Sequence, residues 1–212
     1  MELHTFISKL QGLKISKELF KLDGTEDDVM AMLKAAMMQE VETFGGSYIN
    51  DNEDYLRKIS SWLVSPGTPG LIIFGTVGNG KTTMLNAIRN MVNILSEGDS
   101  RKCITFIDAS SLARLAKNDE YQMWDYIKRP MIALDDVGVE QDSVKTYGNI
   151  VNPVVELISH RYKHRLFTII STNLRPSEIR QRYGDRIADR MNEMMTRIII
   201  KNETYRTQRN KS

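Results

Sequence analysis

The segment GTVGNGKTT, residues 75–83, is the most informative part of this sequence. It fits the nucleotide-binding template G-x-x-x-x-G-K-[ST], in which small residues let successive backbone N–H groups surround an anion. Lys81 is expected to reach the terminal phosphates, and the Thr82 hydroxyl is expected to be a ligand of Mg²⁺. The residues predicted to contact the nucleotide are Gly75, Val77, Gly78, Asn79, Gly80, Lys81, Thr82 and Thr83.

The residues on either side of this loop favour the same interpretation. GLIIF (70–74) is an apolar run of strand length, and TTMLNAIRNMVNIL (82–95) carries apolar residues at helical spacing. A strand, a glycine-rich turn and a helix in this order place the helix N-terminus against the phosphates. The alternative is a chance glycine-rich loop, which would need neither a strand before it nor a helix after it.

Five strand-like runs are spaced along the chain, with helical patterns between them. Alternation of this kind predicts an α/β fold, with a five-stranded parallel sheet between helices. The runs are 71–74, 103–108, 131–136, 166–172 and 197–201.

Composition limits the class of protein. With 212 residues and 41% hydrophobic content, the chain can bury one sizeable core and a small appendage. The single cysteine, Cys103, lies in the apolar run CITFI and is expected to be a buried strand residue, and one cysteine allows no disulfide within the chain. No apolar run is long enough to span a membrane, and the N-terminus lacks the pattern of a secretory signal. We therefore expect a cytoplasmic protein with no membrane partner.

Positive charge is concentrated in the C-terminal third of the chain. Residues 150–212 hold 13 lysines and arginines against 6 aspartates and glutamates, whereas the whole chain has a net charge of only +2. Such asymmetry indicates a polyanionic partner, although some of these arginines are expected to serve the nucleotide. Lys163, Arg165 and Arg175 are the predicted DNA phosphate contacts, because the nucleotide site claims none of them.

An amphipathic helix is predicted ahead of the core, over residues 25–44. Thr25 is expected to cap it together with Asp28, and the pair Gly45-Gly46 ends it. Several methionines line its apolar side, and methionine adapts to the shape of a partner. The helix therefore either binds another protein or packs against its own domain, and spacing does not decide between the two.

Two carboxylates follow the third strand-like run, in MIALDDVG (131–138), the Walker B pattern. Asp135 is predicted to hold the Mg²⁺ shell, and Asp136 is predicted to orient or deprotonate the attacking water. Because neighbouring strand residues point to opposite sides, we expect the two side chains to take different tasks. Without the phosphate loop upstream, a solvated acidic pair at a strand end is the simpler explanation.

The fourth run ends in STNL (171–174), where Asn173 occupies the place of the γ-phosphate sensor in the additional-strand class of phosphate-loop ATPases. Together with the segments described above, it makes the chain resemble the DnaC/DnaI-type helicase loaders and the related IstB-type ATPases of the AAA+ superfamily. The segments that carry the resemblance, in this order, are GTVGNGKTT, LDDVG, ISTNL, YGDRIADRM (183–191) and ETYR (203–206).

The resemblance implies an ATPase that uses ATP and Mg²⁺. It covers roughly residues 47–206, which are predicted to form the AAA+ ATPase domain. A helical, partner-binding segment is predicted at 1–46 and a polar tail at 207–212.

The resemblance also assigns roles to arginines near the C-terminus. Arg190 matches the arginine finger, with Arg186 as the alternative, and Arg206 matches the sensor 2 arginine. A guanidinium from a neighbouring subunit stabilises the charge that develops on the γ-phosphate, so a finger implies head-to-tail self-association. The predicted catalytic residues are Asp136, Asn173, Arg190 and Arg206.

One position departs from the commonest AAA+ pattern. Asp136 stands where that pattern has glutamate, whose side chain is one methylene longer. The shorter carboxylate is expected to slow the intrinsic ATPase or to require help from a partner.

By this resemblance, ATP is expected to switch the assembly state of a protein that places a hexameric replicative helicase on single-stranded DNA. An IstB-like transposition helper, which would deform duplex DNA and recruit a transposase, is the alternative within the same fold. A small-molecule kinase is the alternative from another class. It is disfavoured because the sequence has no clear arginine-rich lid or acceptor-binding motif.

Overall fold

The computed structural model describes residues 4–5, 18–46, 48, 53–141, 144–146 and 149–201, with the backbone alone at 144–146 and 149–151. Arg206 and the predicted tail lie outside these residues. The strands are β1 (Gly70–Gly75), β2 (Ile104–Asp108), β3 (Met131–Val137), β4 (Val144–Thr146), β5 (Asn149–Val151), β6 (Phe167–Thr172) and β7 (Met195–Ile200).

A five-stranded parallel sheet in the order β2-β3-β6-β1-β7 confirms the predicted α/β class. The strands read as continuous apolar runs because both faces of the sheet are covered. β6 lies between β1 and β3, so the strand before the phosphate loop and the strand of the paired aspartates are not neighbours. Side chains at the carboxyl ends of β1, β3 and β6 therefore meet at one edge of the sheet.

Helices cover the sheet on both sides, and strand residues alternate between the two helical layers. Leu71 and Ile73 pack with α1, α2 and α3, whereas Ile72 and Phe74 pack with α4 to α8. The helix bounds are α1 (Glu26–Thr43), α2 (Glu53–Val64), α3 (Lys81–Leu95), α4 (Ala109–Asn118), α5 (Glu120–Lys128), α6 (Pro153–His164), α7 (Pro176–Tyr183) and α8 (Asp185–Met194).

The helix predicted at 25–44 packs against its own domain. Thr25 and Asp28 form the expected capping box, and the hydrogen bonds from the Thr25 side chain and backbone lower the pKa of Asp28. The apolar stripe of α1 is covered by α2 and α3, and its buried residues are Val29, Met30, Leu33 and Met37. A protein partner would have to use other residues, such as the exposed Phe44. Residues 1–46 as a partner-binding segment therefore remain a prediction.

Two local features differ from the sequence-based expectation. Cys103 is half-buried and precedes β2, which begins at Ile104. The antiparallel pair β4–β5 was not predicted, because strands of three residues carry no detectable periodicity.

Candidate nucleotide site

The phosphate loop leaves β1 at Gly75 and enters α3 at Lys81. Gly78 and Gly80 have positive φ angles of 81° and 90°, a backbone conformation that glycine adopts without steric cost. At Gly75, a Cβ atom would lie 2.0 Å from Asn79 Nδ2. Three of the glycines in the motif are thus explained by backbone shape or by close packing, and the first N–H groups of α3 face the loop.

Asn79 fastens the loop to the sheet. Its Nδ2 donates to Ile200 O at the end of β7 (3.0 Å), and its Oδ1 accepts from Lys81 Nζ (3.2 Å). The residue is only 2% exposed. Because Oδ1 and one N–H of the amide already have partners within the protein, the backbone N–H of Asn79 is the group expected to face a phosphate.

Lys81 and Asn173 are in direct contact. The buried ammonium of Lys81 donates to Thr76 O (2.7 Å), to Asn79 Oδ1 (3.2 Å) and to Asn173 Oδ1 (2.6 Å). These three acceptors match the three donors of an ammonium group. The fold therefore brings together the predicted phosphate lysine and the predicted γ-phosphate sensor, which are 92 residues apart in the sequence.

Thr82 and Asp135, the predicted Mg²⁺ ligands, also meet. The Thr82 hydroxyl donates to Asp135 Oδ2 at 2.8 Å, and the buried Ser171 hydroxyl donates to Asp135 Oδ1. Asp135 is 4% exposed. The carboxylate is thus held beside the first turn of α3 by two hydroxyl groups. A role for Ser171 was missed in the sequence, although STNL was singled out for Asn173.

Asp136 occupies an irregular point of β3. The register between β3 and β6 shifts between Leu134 and Val137, and Asp136 has a left-handed φ of 53°. Its backbone N–H donates to Ser171 Oγ at 3.0 Å. Simple strand alternation, from which we expected different tasks for the two aspartates, does not apply here. The register shift and the left-handed backbone of Asp136 interrupt the regular alternation of side chains at this point.

The remaining residues of STNL complete the junction between β3 and β6. Thr172 Oγ1 donates to Val137 O at 2.6 Å. Leu174 packs over Gly138, where a Cβ atom would lie 2.5 Å from Leu174 Cδ1. Each residue from Ser171 to Leu174 therefore contacts either the end of β3, the loop that follows it, or Lys81.

A buried carboxylate, which the sequence analysis missed, lies in the loop after β3. Glu140 accepts from the Gly138 N–H (2.8 Å), from the Tyr183 hydroxyl and from Arg182 Nε (3.4 Å). Arg182 also donates to the Glu140 carbonyl. Burial, followed by the hydrogen bond to Glu140, raises the pKa of Tyr183, so the phenol remains a donor. We call Gly138, Glu140, Arg182 and Tyr183 the Glu140 cluster.

The two candidate finger arginines lie one turn apart on α8. Arg190 is half-buried, donates to Ser159 Oγ at 2.8 Å and lies over the ring of Tyr162, with 5.3 Å from Cζ to the centroid. Arg186 is exposed, and its guanidinium has no hydrogen bond or ion pair within the described part of the chain. The guanidinium of Arg186 is therefore the freer of the two.

The three predicted DNA contacts are exposed but do not form one patch. Lys163 and Arg165 lie at the end of α6, just before β6 begins, whereas Arg175 follows the end of β6. A strand of this length separates them by roughly 17 Å. Arg175 lies on the edge of the sheet that carries the phosphate loop, and the other two lie on the opposite edge.

Solved structures share the fold of this chain. The DnaC helicase loader is 23% identical with a TM-score of 0.54, over 72% of this chain and 93% of that chain. DnaI is 21% identical with a TM-score of 0.58, over 82% of this chain and 92% of that chain. The chain has the AAA+ fold of DnaC and DnaI. The sequence itself matches no protein-family model and no curated protein.

The same AAA+ fold occurs in a replication initiator. DnaA bound to AMPPCP and single-stranded DNA is 16% identical to this chain with a TM-score of 0.51, over 73% of this chain and 48% of that chain. At these identities the likeness concerns the fold alone.

The part of the chain that the structure describes contains no helix with the length and the apolar composition needed to cross a membrane.

Proposed function

We propose that this chain is an ATP-dependent replication protein that places a hexameric replicative helicase on single-stranded DNA. In this proposal, ATP binding and hydrolysis switch its assembly state. The observation that carries the proposal is the convergence of Lys81 with Asn173, and of Thr82 with Asp135, at one edge of an AAA+ sheet. The fold shared with a helicase loader supports the choice of partner.

ATP binds with its terminal phosphates in the loop at residues 75–83. Lys81 then exchanges at least one of its protein acceptors for a phosphate oxygen, because all three ammonium donors already have partners. Asn173, which contacts the lysine, thereby comes next to the γ-phosphate. Asp136 orients or deprotonates the attacking water.

Mg²⁺ fits the oxygen pair formed by Thr82 and Asp135. A hydroxyl and a single carboxylate beside a phosphate site are the ligands this ion takes in nucleotide-binding proteins, where it keeps several waters. When bound, the ion would neutralise the charge that develops on the phosphate oxygens.

The site is completed by an arginine from α8 of a neighbouring copy, in a head-to-tail assembly. Family resemblance favours Arg190, and the structure leaves the guanidinium of Arg186 freer. For Arg190 to act, it must leave Ser159 and Tyr162 of its own chain. Arg206 remains the proposed sensor 2 arginine.

Helicase and DNA are the proposed partners, and the cytoplasm is the proposed location. The described fold is shared with DnaA bound to AMPPCP and single-stranded DNA, which supports both a nucleotide and a DNA ligand. The segment at 1–46 is the proposed helicase contact, through surfaces other than the covered stripe of α1.

The test is ATP-dependent retention of the replicative helicase of the same genome on circular single-stranded DNA. We expect retention with the unchanged protein and ATP. We expect no retention with Lys81→Ala, which removes the positive charge proposed to contact the ATP phosphates. Failure of ATP to change retention would contradict the proposal. Recruitment of a transposase to duplex DNA would indicate the IstB-like alternative instead.

Exposed cations of the basic third should contribute to single-stranded DNA binding. Lys163→Ala with Arg165→Ala should lower the slope of log affinity against log salt by about 0.7 for each DNA phosphate that the protein no longer neutralises. Arg175→Ala should do so separately, because it lies at the other end of β6. Arg57→Ala, an exposed arginine on α2, is the control. No binding at low salt with ATP present would contradict the assignment.

A further inference from the structure

Glu140 is a buried carboxylate that no step of ATP hydrolysis requires. Its side chain has no exposed surface, and a buried carboxylate is costly unless it is hydrogen-bonded. An apolar residue of similar shape is often as favourable to stability as a buried charged group. Its presence is therefore better explained by the parts of the fold that it joins.

Those parts are the loop after the Walker B aspartates and the last turn of α7. On the loop side, Glu140 accepts from the Gly138 N–H, next to the residues that Thr172 and Leu174 contact. On the helix side, it accepts from Tyr183 and Arg182, the final two residues of α7. Within the described residues, Glu140 thus accepts hydrogen bonds from both the loop and α7.

The last turn of α7 leads directly into α8. Gly184, with a φ of 84°, forms the corner between the two helices. Arg180 of α7 donates to Asp185 (2.5 Å) and to Asp189 (2.7 Å) of α8. The end of α7 is therefore joined, by the chain and by these ion pairs, to α8, which carries Arg186 and Arg190.

We propose that Glu140 is a positioning residue, which fixes α7 and the arginine-bearing helix α8 to the loop that follows Asp136. A displacement at the Walker B end of β3 thereby shifts α8 through the Glu140 cluster. The arginines proposed to act in the next copy, Arg186 and Arg190, shift with it. The effect on hydrolysis rests on the proposed function, whereas the effect on the position of α8 does not.

The first measurement is hydrogen–deuterium exchange of the α8 backbone amides, residues 185–194. Glu140→Ala should raise exchange there by about 10-fold or more, because opening needs fewer bonds to break. Glu140→Gln keeps an oxygen acceptor and should preserve most of the protection. Asp125→Ala, which removes a carboxylate from an exposed ion pair with Arg129, is the control. Unchanged exchange in folded Glu140→Ala would overturn the proposal.

The second measurement separates kcat from ATP affinity. Glu140→Ala should bind ATP within about threefold of the unchanged protein, because the phosphate loop is untouched. Its kcat should fall by about 10-fold to 10²-fold, as expected for a misplaced catalytic group. An equal loss of affinity and kcat would overturn the positioning role, since it would show general damage to the site.

The third measurement places the defect in the arginine-donating copy. A Lys81→Ala/Glu140→Ala protein should restore less ATPase to an arginine-deficient partner than Lys81→Ala alone does. Undiminished recovery would overturn the inference. If Lys81→Ala itself restores no activity while α8 exchange still rises in Glu140→Ala, the proposed finger in trans has failed and the structural link has not.

Discussion

The Asp136→Asn protein should bind ATP as tightly as the unchanged protein and hydrolyse it roughly 10²–10⁴-fold more slowly. The amide has the shape of the carboxylate but cannot accept a proton from water. Asparagine also tolerates the left-handed backbone that Asp136 adopts, with a φ of 53°. The substitution therefore changes the chemistry of the site without a large cost in folding.

The measurement for Asp136→Asn is a fluorescent ATP-analogue titration beside steady-state phosphate release. Lys81→Ala is the matched variant in which binding itself should disappear. Hydrolysis by Asp136→Asn within twofold of the unchanged rate would remove Asp136 from the catalytic role.

A second large effect is expected at Arg161, which is fully buried in α6. Its guanidinium makes five hydrogen bonds, all to neutral oxygens at the end of α5 and the start of β6. Burial lowers its pKa to about 9, which leaves it charged at neutral pH. The acceptors are Thr168 Oγ1 and the carbonyls of Ile127, Arg129, Pro130 and Phe167.

Arg161→Met should lower the free energy of unfolding by about 3–5 kcal/mol, because several buried acceptors are left without donors at once. Urea denaturation followed by circular dichroism measures the change. Lys163→Ala, an exposed residue of the same helix, should stay within about 0.5 kcal/mol. A decrease below about 1 kcal/mol for Arg161→Met would show that water or neighbouring groups replace the guanidinium.

The sheet and the glycine-rich turn at residues 75–83 were predictable because their signals are local. Each core strand is an apolar run, and all five predicted runs became strands of the sheet. The glycine-rich motif determines its own turn through residues such as Gly78 and Gly80. Once β1 and β3 lie parallel on either side of β6, the meeting of Lys81, Asp135 and Asn173 at the carboxyl edge of the sheet follows from topology.

Other features depend on packing that sequence patterns do not encode. The left-handed backbone of Asp136 accompanies a shift in register against β6, and burial of Glu140 requires the end of α7 to lie over its loop. Likewise, the spacing of apolar residues in α1 is the same whether a partner protein or the protein's own α2 and α3 cover them. That Arg165 and Arg175 lie far apart could have been predicted, since the predicted strand 166–172 lies between them.

In the proposed mechanism, ATP acts at a site shared between copies of this chain. The most direct test mixes Lys81→Ala protein with Arg190→Ala protein and, separately, with Arg186→Ala protein. An interface between the intact phosphate loop of one copy and the intact arginine of the other rebuilds a complete site. We predict that at least one mixture hydrolyses ATP faster than the sum of its separate components. No recovery in either mixture, with all variants folded and able to associate, would contradict the claim.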